Sequence, residues 1–339
     1  MNNGGNINIL AVETSCDETA AAVVRNGLQV LSSVIASQID WHKKFGGVVP
    51  EIASRKHLEL INPVIDEALS KAEVKLTDID GIAVTYGPGL VGALLVGLSA
   101  AKTLAYTLDK PLIGVNHITG HIYANFISNK DIKPPVICLT VSGGHTDLLY
   151  FKDLHGYEIL GRTRDDAAGE AFDKIARFLK LGYPGGPIIE KKAEKGNPEA
   201  INFPEAEFKD DTYDFSFSGL KTAVINYVHN QKQRGKEINI SDIAASFQNT
   251  VIKMLIKNII KAVNNYKVNG VILSGGVAAN KTFRRILKKK LEKYNLPLYY
   301  PEQELCTDNA AMIGSVAYYQ YLDKDFSDLT LNPEPKLQL

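Results

Sequence analysis

One pattern occurs twice in this chain, and that duplication limits the folds open to it more than any other feature. Ile7–Val24 reads as strand, polar turn (Glu13-Thr14-Ser15-Cys16-Asp17-Glu18), strand; Val136–Phe151 repeats it around the turn Ser142-Gly143-Gly144-His145. Further on, Asp80–Thr85 runs into Gly87-Pro88-Gly89 and a helical pattern, and Asn269–Ser274 runs into Gly275-Gly276 and another. A period of this kind marks a duplicated unit. Two halves, each opening with a hairpin and closing with a strand–glycine–helix unit, predict a bilobal molecule with a cleft between the halves and Pro134-Pro135 as the hinge.

The remaining periodicity supports an α/β class. Strand-like runs are Ile7–Val12, Thr19–Val24, Gly81–Thr85, Val136–Val141, Thr146–Phe151 and Gly270–Leu273. Helical patterns cover Pro50–Ala72, Leu90–Leu108, Ala168–Leu179, Ile243–Tyr266 and Asn280–Tyr294. Strands alternating with helices predict largely parallel sheets. The segment Pro184–Asp242, richer in Gly, Pro and charge, is expected to be a helical or loop insertion over the cleft.

Composition excludes several classes. Hydrophobic content of 45% with 22% charged residues in 339 residues is that of a globular chain of two ordinary domains. Thirty-eight basic residues balance 38 acidic ones, so any nucleic-acid binding must come from a local patch. The densest candidate is Lys281, Arg284, Arg285, Lys288, Lys289, Lys290 and Lys293; a solvated amphipathic face is the plainer reading of it. Three widely spaced cysteines, Cys16, Cys138 and Cys306, suit a reducing compartment. The polar start Met1–Asn6 is unlike a signal peptide, and no apolar run is expected to span a membrane. The expectation is a cytoplasmic protein.

Glycines that follow strands expose backbone N–H groups to a phosphate. Ser142-Gly143-Gly144-His145-Thr146, Gly185-Gly186 and Ser274-Gly275-Gly276 do so at comparable places, although any one alone is only a tight turn. No P-loop is present, and no Gly-x-Gly-x-x-Gly opens a helix after the first strand. His117-Ile118-Thr119-Gly120-His121 sets two imidazoles at i and i+4 on one helix face, a spacing that chelates a metal. Ile118 stands where a zinc protease carries its general-base glutamate, so a metalloprotease lacks its catalyst. Asp308 can serve as a carboxylate ligand or as a helix N-cap, and spacing does not separate the two.

Taken together, the motifs resemble the tRNA adenosine threonylcarbamoyltransferases, the TsaD family, in its bacterial form. The resemblance rests on Glu13–Thr19, Gly87–Gly89, His117–His121, Val141–Thr146, Asp165–Lys174, Tyr183–Pro187, Ser216–Thr222, Gly275–Asn280 and Cys306–Asn309, in order along nearly the whole chain. It implies an actin/hexokinase-like (ASKHA) α/β fold of two duplicated RNase H-like halves around a nucleotide cleft. The halves would be 7–131, with the histidine pair, and 132–325, with the nucleotide loops and an insertion near 184–242. It also implies transfer of threonylcarbamoyl from threonylcarbamoyl-AMP to the exocyclic amine of the adenosine just 3′ of the anticodon, in tRNAs reading ANN codons, with release of AMP. By motif match His117, His121 and Asp308 would hold iron or zinc. Thr140, Val141, Ser142, Gly143 and Gly144 would cradle the donor, with Asp173, Gly186 and Asn280 at its adenosine and ribose. Glu190 departs from the aspartate of many relatives, which weakens that ribose contact.

The implied donor is a mixed anhydride with a good leaving group, so no covalent nucleophile is required. Cys16 and Cys138 are expected to be buried structural thiols, and His145 a third ligand, a proton shuttle or a residue that orients its loop. Implied partners are tRNA, a shorter paralogous subunit and a small ATPase; the apolar helix Ile52–Leu69 is either core or the surface for such a partner. A metalloprotease, a small-molecule kinase of the same fold and a non-catalytic nucleotide-binding scaffold are the alternatives. No catalytic aspartate can be placed for the kinase, and retention of His117, His121 and Asp308 argues against the scaffold.

Overall fold

In the computed structural model, residues 6–153, 157–302 and 305–339 are described. The strands are β1 (Asn8–Glu13), β2 (Glu18–Arg25), β3 (Gln29–Ser37), β4 (Gly81–Gly87), β5 (Leu112–Asn116), β6 (Val136–Val141), β7 (Thr146–Phe151), β8 (Tyr157–Arg162), β9 (Val271–Ser274) and β10 (Leu298–Tyr299). The helices are α1 (Ile39–His42), α2 (Pro50–Ala72), α3 (Val91–Leu108), α4 (His117–Ser128), α5 (Ala168–Phe178), α6 (Gly185–Ala193), α7 (Ser218–Gln233), α8 (Ile240–Asn265), α9 (Lys281–Leu291) and α10 (Ala310–Asp323).

The duplication is real. One five-stranded sheet has the order β3-β2-β1-β4-β5, and the other, read from its far edge, is β8-β7-β6-β9-β10. In each, the first strand pairs antiparallel with the second and parallel with the fourth, so corresponding strands hold corresponding places. The sheets are therefore mixed rather than largely parallel. Strands β1 and β6 are buried along their whole length, which explains why both read as mostly apolar runs without alternation.

The chain divides into two compact units, residues 1–130 with 301–339, and residues 131–300. The first break lies within one residue of the expected boundary. The second corrects it: residues 301–325 were expected with the second half, but they return to the first. The physical reason is α10. A Cβ placed on its Gly314 would stand 2.7 Å from Val24 Cγ2 and 3.3 Å from Ala11 Cβ, so this helix lies directly on β1 and β2.

Two further segments bear on what the sequence suggested. Pro184–Asp242 contains α6 and α7, and its Ile189, Phe203, Phe215, Phe217, Leu220 and Val224 belong to the second unit's core. It is part of that unit's packing. Helix α3 does have the length and apolarity of a membrane span, 18 residues with mean hydropathy 1.5. Its Leu94, Leu98, Ala101 and Ala105 are buried, and Leu98, Ala101 and Ala105 join Ile61, Ile65 and Ala68 of α2 in the first unit's core.

Candidate metal centre and glycine loops

The histidine pair is set by a capped helix. Asn116 ends β5, and its Oδ1 accepts the N–H groups of Ile118 at 2.8 Å and Thr119 at 3.3 Å. That N-cap starts α4 at His117 and puts His117 and His121 on one face, one turn apart. Between them, a Cβ on Gly120 would stand 2.8 Å from Ile313 Cδ1. The close approach this glycine permits seats α10 against α4 and carries the turn before α10 to the histidines. Asp308 does not cap that helix. Asn309 does so, accepting from Met312 N at 2.9 Å, and Asp308 is left for the histidines.

His117, His121 and Asp308 thus meet within the first unit. The two Nε2 atoms are 3.1 Å apart; Asp308 Oδ1 lies 3.1 Å from His121 Nε2 and 3.5 Å from His117 Nε2. Ligand atoms held about 2.1 Å from a tetrahedral cation stand about 3.4 Å from one another, so this triangle has the size a zinc or iron ion requires. Its charge fits as well. Burial alone would push the His117 imidazole down, but Asp308 and Glu13 together outweigh it and lift it to about 9. The cluster favours positive charge among its carboxylates.

Behind the triangle stands Glu13, fully buried at the end of β1. Its carboxylate accepts from Ser15 N and Thr85 Oγ1, and its Oε2 lies 3.0 Å from His117 Nδ1. Burial raises its pKa, yet the charge and hydrogen bond of His117, with Thr85, bring it below the usual glutamate value. On the same loop, burial and then Asp17 and Asp308 drive Glu18 far above the carboxylate range. The loop is anchored by the fully buried His57 of α2, which bonds Thr19 Oγ1 at 2.8 Å and the Cys16 carbonyl at 3.0 Å. Burial holds His57 below the ordinary imidazole value, against the pull of Cys16 and Glu13.

The cysteines are free. Cys138 and Cys306 are buried, whereas Cys16 is only half-buried, a correction to the expectation. Burial raises Cys138 to about 12, and burial with the neighbouring Asp17 raises Cys16 well above the thiol range, so neither supplies a thiolate.

The glycine loops gather in the second unit. Thr140 is buried with its Oγ1 2.8 Å from Ser274 Oγ, and Val141 is buried beside it. Ser142 N donates to the His145 carbonyl at 2.9 Å, and His145 N donates to Ser142 Oγ at 3.1 Å, closing the turn that carries Gly143 and Gly144. His145 therefore shapes this turn through its backbone; the metal cluster found among the described residues does not include it. Gly169 N donates to Ser142 O at 3.2 Å, and Gly275 has φ +82°, where a Cβ would stand 2.5 Å from Val141 O. Around Gly143, Gly144, Gly186 and Gly276, by contrast, a Cβ would meet nothing within 4 Å, so these backbones face open space.

Of the residues expected at the adenosine and ribose, three also hold the loops together. Asp173 accepts Gly185 N at 2.6 Å, and Glu190 accepts Lys281 N at 2.7 Å and Thr282 N at 3.3 Å at the start of α9. Asn280 caps α9 through Phe283 N at 2.8 Å and gives its amide to Gln248 at 2.9 Å. Glu13, Thr85, Asn116, His57 and Gln248 received no role from the sequence. The available signal was an acid, Glu13, closing an otherwise apolar strand that is too apolar to face water.

The fold is of the actin/hexokinase-like ASKHA class, and the first unit adds to it a His/His/Asp cluster of metal-binding geometry. It is similar to HypF from T. kodakarensis (TM-score 0.63, 16% identity, 96% of this chain and 49% of that one). It also matches the Acidaminococcus fermentans (R)-2-hydroxyglutaryl-CoA dehydratase component A (TM-score 0.53, 14% identity, 93% and 99%). Residues 29–315 match the family described as TsaD, tRNA N6-adenosine threonylcarbamoyltransferase. Relatives of that name are 60% identical over 333 residues in Clostridium botulinum (strain 657) and 59% identical over 331 in Clostridium perfringens (strain ATCC 13124), covering 98% of each chain. The chain belongs to the tRNA N6-adenosine threonylcarbamoyltransferase family, and is a transferase that modifies adenosine in tRNA.

Proposed function

We propose that, in this transfer, His117, His121 and Asp308 hold one divalent cation, iron or zinc, and that the donor is threonylcarbamoyl-AMP bound through its adenylate by the second unit's glycine loops. The triangle of donor atoms 3.1–3.5 Å apart carries the reading. A cation bound there supplies Lewis-acid stabilisation of negative charge. The open backbone at Gly143 and Gly144, within the turn after β6, accepts the donor phosphate, and Gly186 and Asn280 lie on the loops offered to its nucleoside. With both thiols raised, attack comes directly from the adenosine amine on the carbamoyl carbon. The C–N bond forms, the bond to the AMP oxygen breaks, and the amine proton passes to solvent or to the leaving phosphate. Metal analysis after dialysis tests the cation: His121→Ala should retain under a tenth of wild-type occupancy, and full retention would refute the ligand set.

The implied partners belong to the same reading. Leu58 of α2 and Val91 and Leu95 of α3 are 66%, 56% and 47% exposed, and Ser54 of α2 packs against Gly92 of α3. Apolar side chains exposed on packed helices suit a protein partner, here the shorter paralogous subunit, with a small ATPase joining it. Free cysteines and a tRNA substrate support a cytoplasmic location.

A further inference from the structure

We propose that Glu13 is a positioning residue that presents His117 to the cation through one fixed tautomer; this rests on the metal-site reading above. Glu13 lies on β1 and Thr85 on the adjacent parallel strand β4, both fully buried, so the carboxylate is held by the sheet. Every group facing it is able to donate: Ser15 N, Thr85 Oγ1 and His117 Nδ1. An ionised carboxylate only accepts, so the His117 proton sits on Nδ1. Ser15 Oγ, 3.1 Å from the same nitrogen, is a second acceptor for it. In the neutral imidazole that a bound cation requires, the Nε2 lone pair is then left pointing at His121 Nε2 and Asp308. The opposite tautomer would set a lone pair against Glu13 and a proton inside the triangle. Among the described residues His121 has no such support, because its buried Nδ1 finds no hydrogen-bond partner there. His117 is thus the imidazole that a carboxylate of the described residues orients from behind, an arrangement that typically governs about 10–100-fold in metal affinity.

Glu13→Gln keeps the shape but leaves one acceptor oxygen. With that oxygen on Ser15 N, the amide N–H₂ faces His117 Nδ1 and favours the tautomer that protonates Nε2. Titration of metal-stripped full-length protein with Co²⁺, read by its visible absorption, should show affinity falling about 10–100-fold in Glu13→Gln. Thr85→Val, which removes another bond to the same carboxylate but leaves its bond to His117, should stay within about threefold. In a His117→Ala background, adding Glu13→Gln should cost nothing further, because a residue acting only through His117 has nothing left to act on. Wild-type affinity in Glu13→Gln, or the same loss in both backgrounds, would overturn the inference and leave the metal site standing. Wild-type affinity in His117→Ala would overturn the metal-site reading and this inference with it. A measurement without substitution guards against misfolded variants. Long-range ¹H–¹⁵N correlation on the zinc-loaded chain should find the His117 proton on Nδ1; a proton on Nε2 refutes the proposal.

Discussion

Two glycines in the second unit separate what is needed to fold from what is needed to bind. Gly275 adopts φ +82°, ψ 169°, a region open essentially to glycine alone, and a Cβ there would stand 2.5 Å from a carbonyl. Gly275→Ala should cost about 1–3 kcal/mol or more, visible as a lower urea midpoint. Gly143 has neither constraint. Gly143→Val should keep the wild-type midpoint yet lose AMP affinity by calorimetry, because its side chain would enter the open space proposed above for the phosphate. Unaltered AMP binding in that variant would remove the loop from the donor site. Asp147 on β7 gives a pH signature. Burial raises it to about 6, against the pull of Arg162. Its folded value exceeds the unfolded one of about 3.9, so the native state binds the proton more tightly. Its contribution is therefore most favourable at low pH and declines as pH rises from about 4 through 6. Relative to wild type, Asp147→Asn should gain on the order of 1–2 kcal/mol between pH 4.5 and pH 8 in urea titrations. A constant difference across that range would contradict the assignment.

Among the elements, α9 carries the question of how tRNA is held. The seven-cation patch read from sequence loses Arg284, whose Nε donates to the Ala278 carbonyl and whose guanidinium carbon lies 3.9 Å from the Tyr300 ring centroid. Arg284 fixes α9 to its surroundings, while Arg285, Lys288, Lys289 and Lys290 remain exposed. Arg285→Gln with Lys288→Gln should flatten the salt dependence of tRNA binding by up to about two units of slope, uniformly across tRNAs. Equal slopes would return the helix to a solvated face. Elements with strong local signals were legible: α2, β6 and β7 fall on their predicted bounds, since a Pro at the first helical position and short apolar-rich runs on either side of Ser-Gly-Gly-His mark them clearly. Strand β3 alternates weakly, with Ser and Gln on an exposed edge, and was not read. Helix α10 is foreshadowed only by the cap reading of Asp308; its extent carries no periodic signal because its apolar residues surround most of the helix, leaving little 3.6-residue contrast. The metal triad was legible only through resemblance. Asp308 looks like a helix cap, and the one-residue difference that gives capping to Asn309 is a matter of backbone geometry.

At the scale of the whole molecule, the second unit is continuous and the first is not. Residues 131–300, with their own sheet and core, should fold alone and unfold cooperatively in urea. Deleting 301–339 should leave the first unit unfolded, because α10 covers β1 and β2; a native-like circular dichroism spectrum from 1–300 would contradict this. The same discontinuity orders events during synthesis. His117 and His121 leave the ribosome long before Asp308, separated from it by the entire second unit. At about 5–20 residues per second, that interval lasts on the order of ten to forty seconds. A nascent chain thus offers two imidazoles to passing ions well before it can offer the carboxylate that completes the set. If the three hold the proposed cation, its selection waits for the finished polypeptide, and an ion met early by the histidine pair alone would stay exchangeable until Asp308 docks.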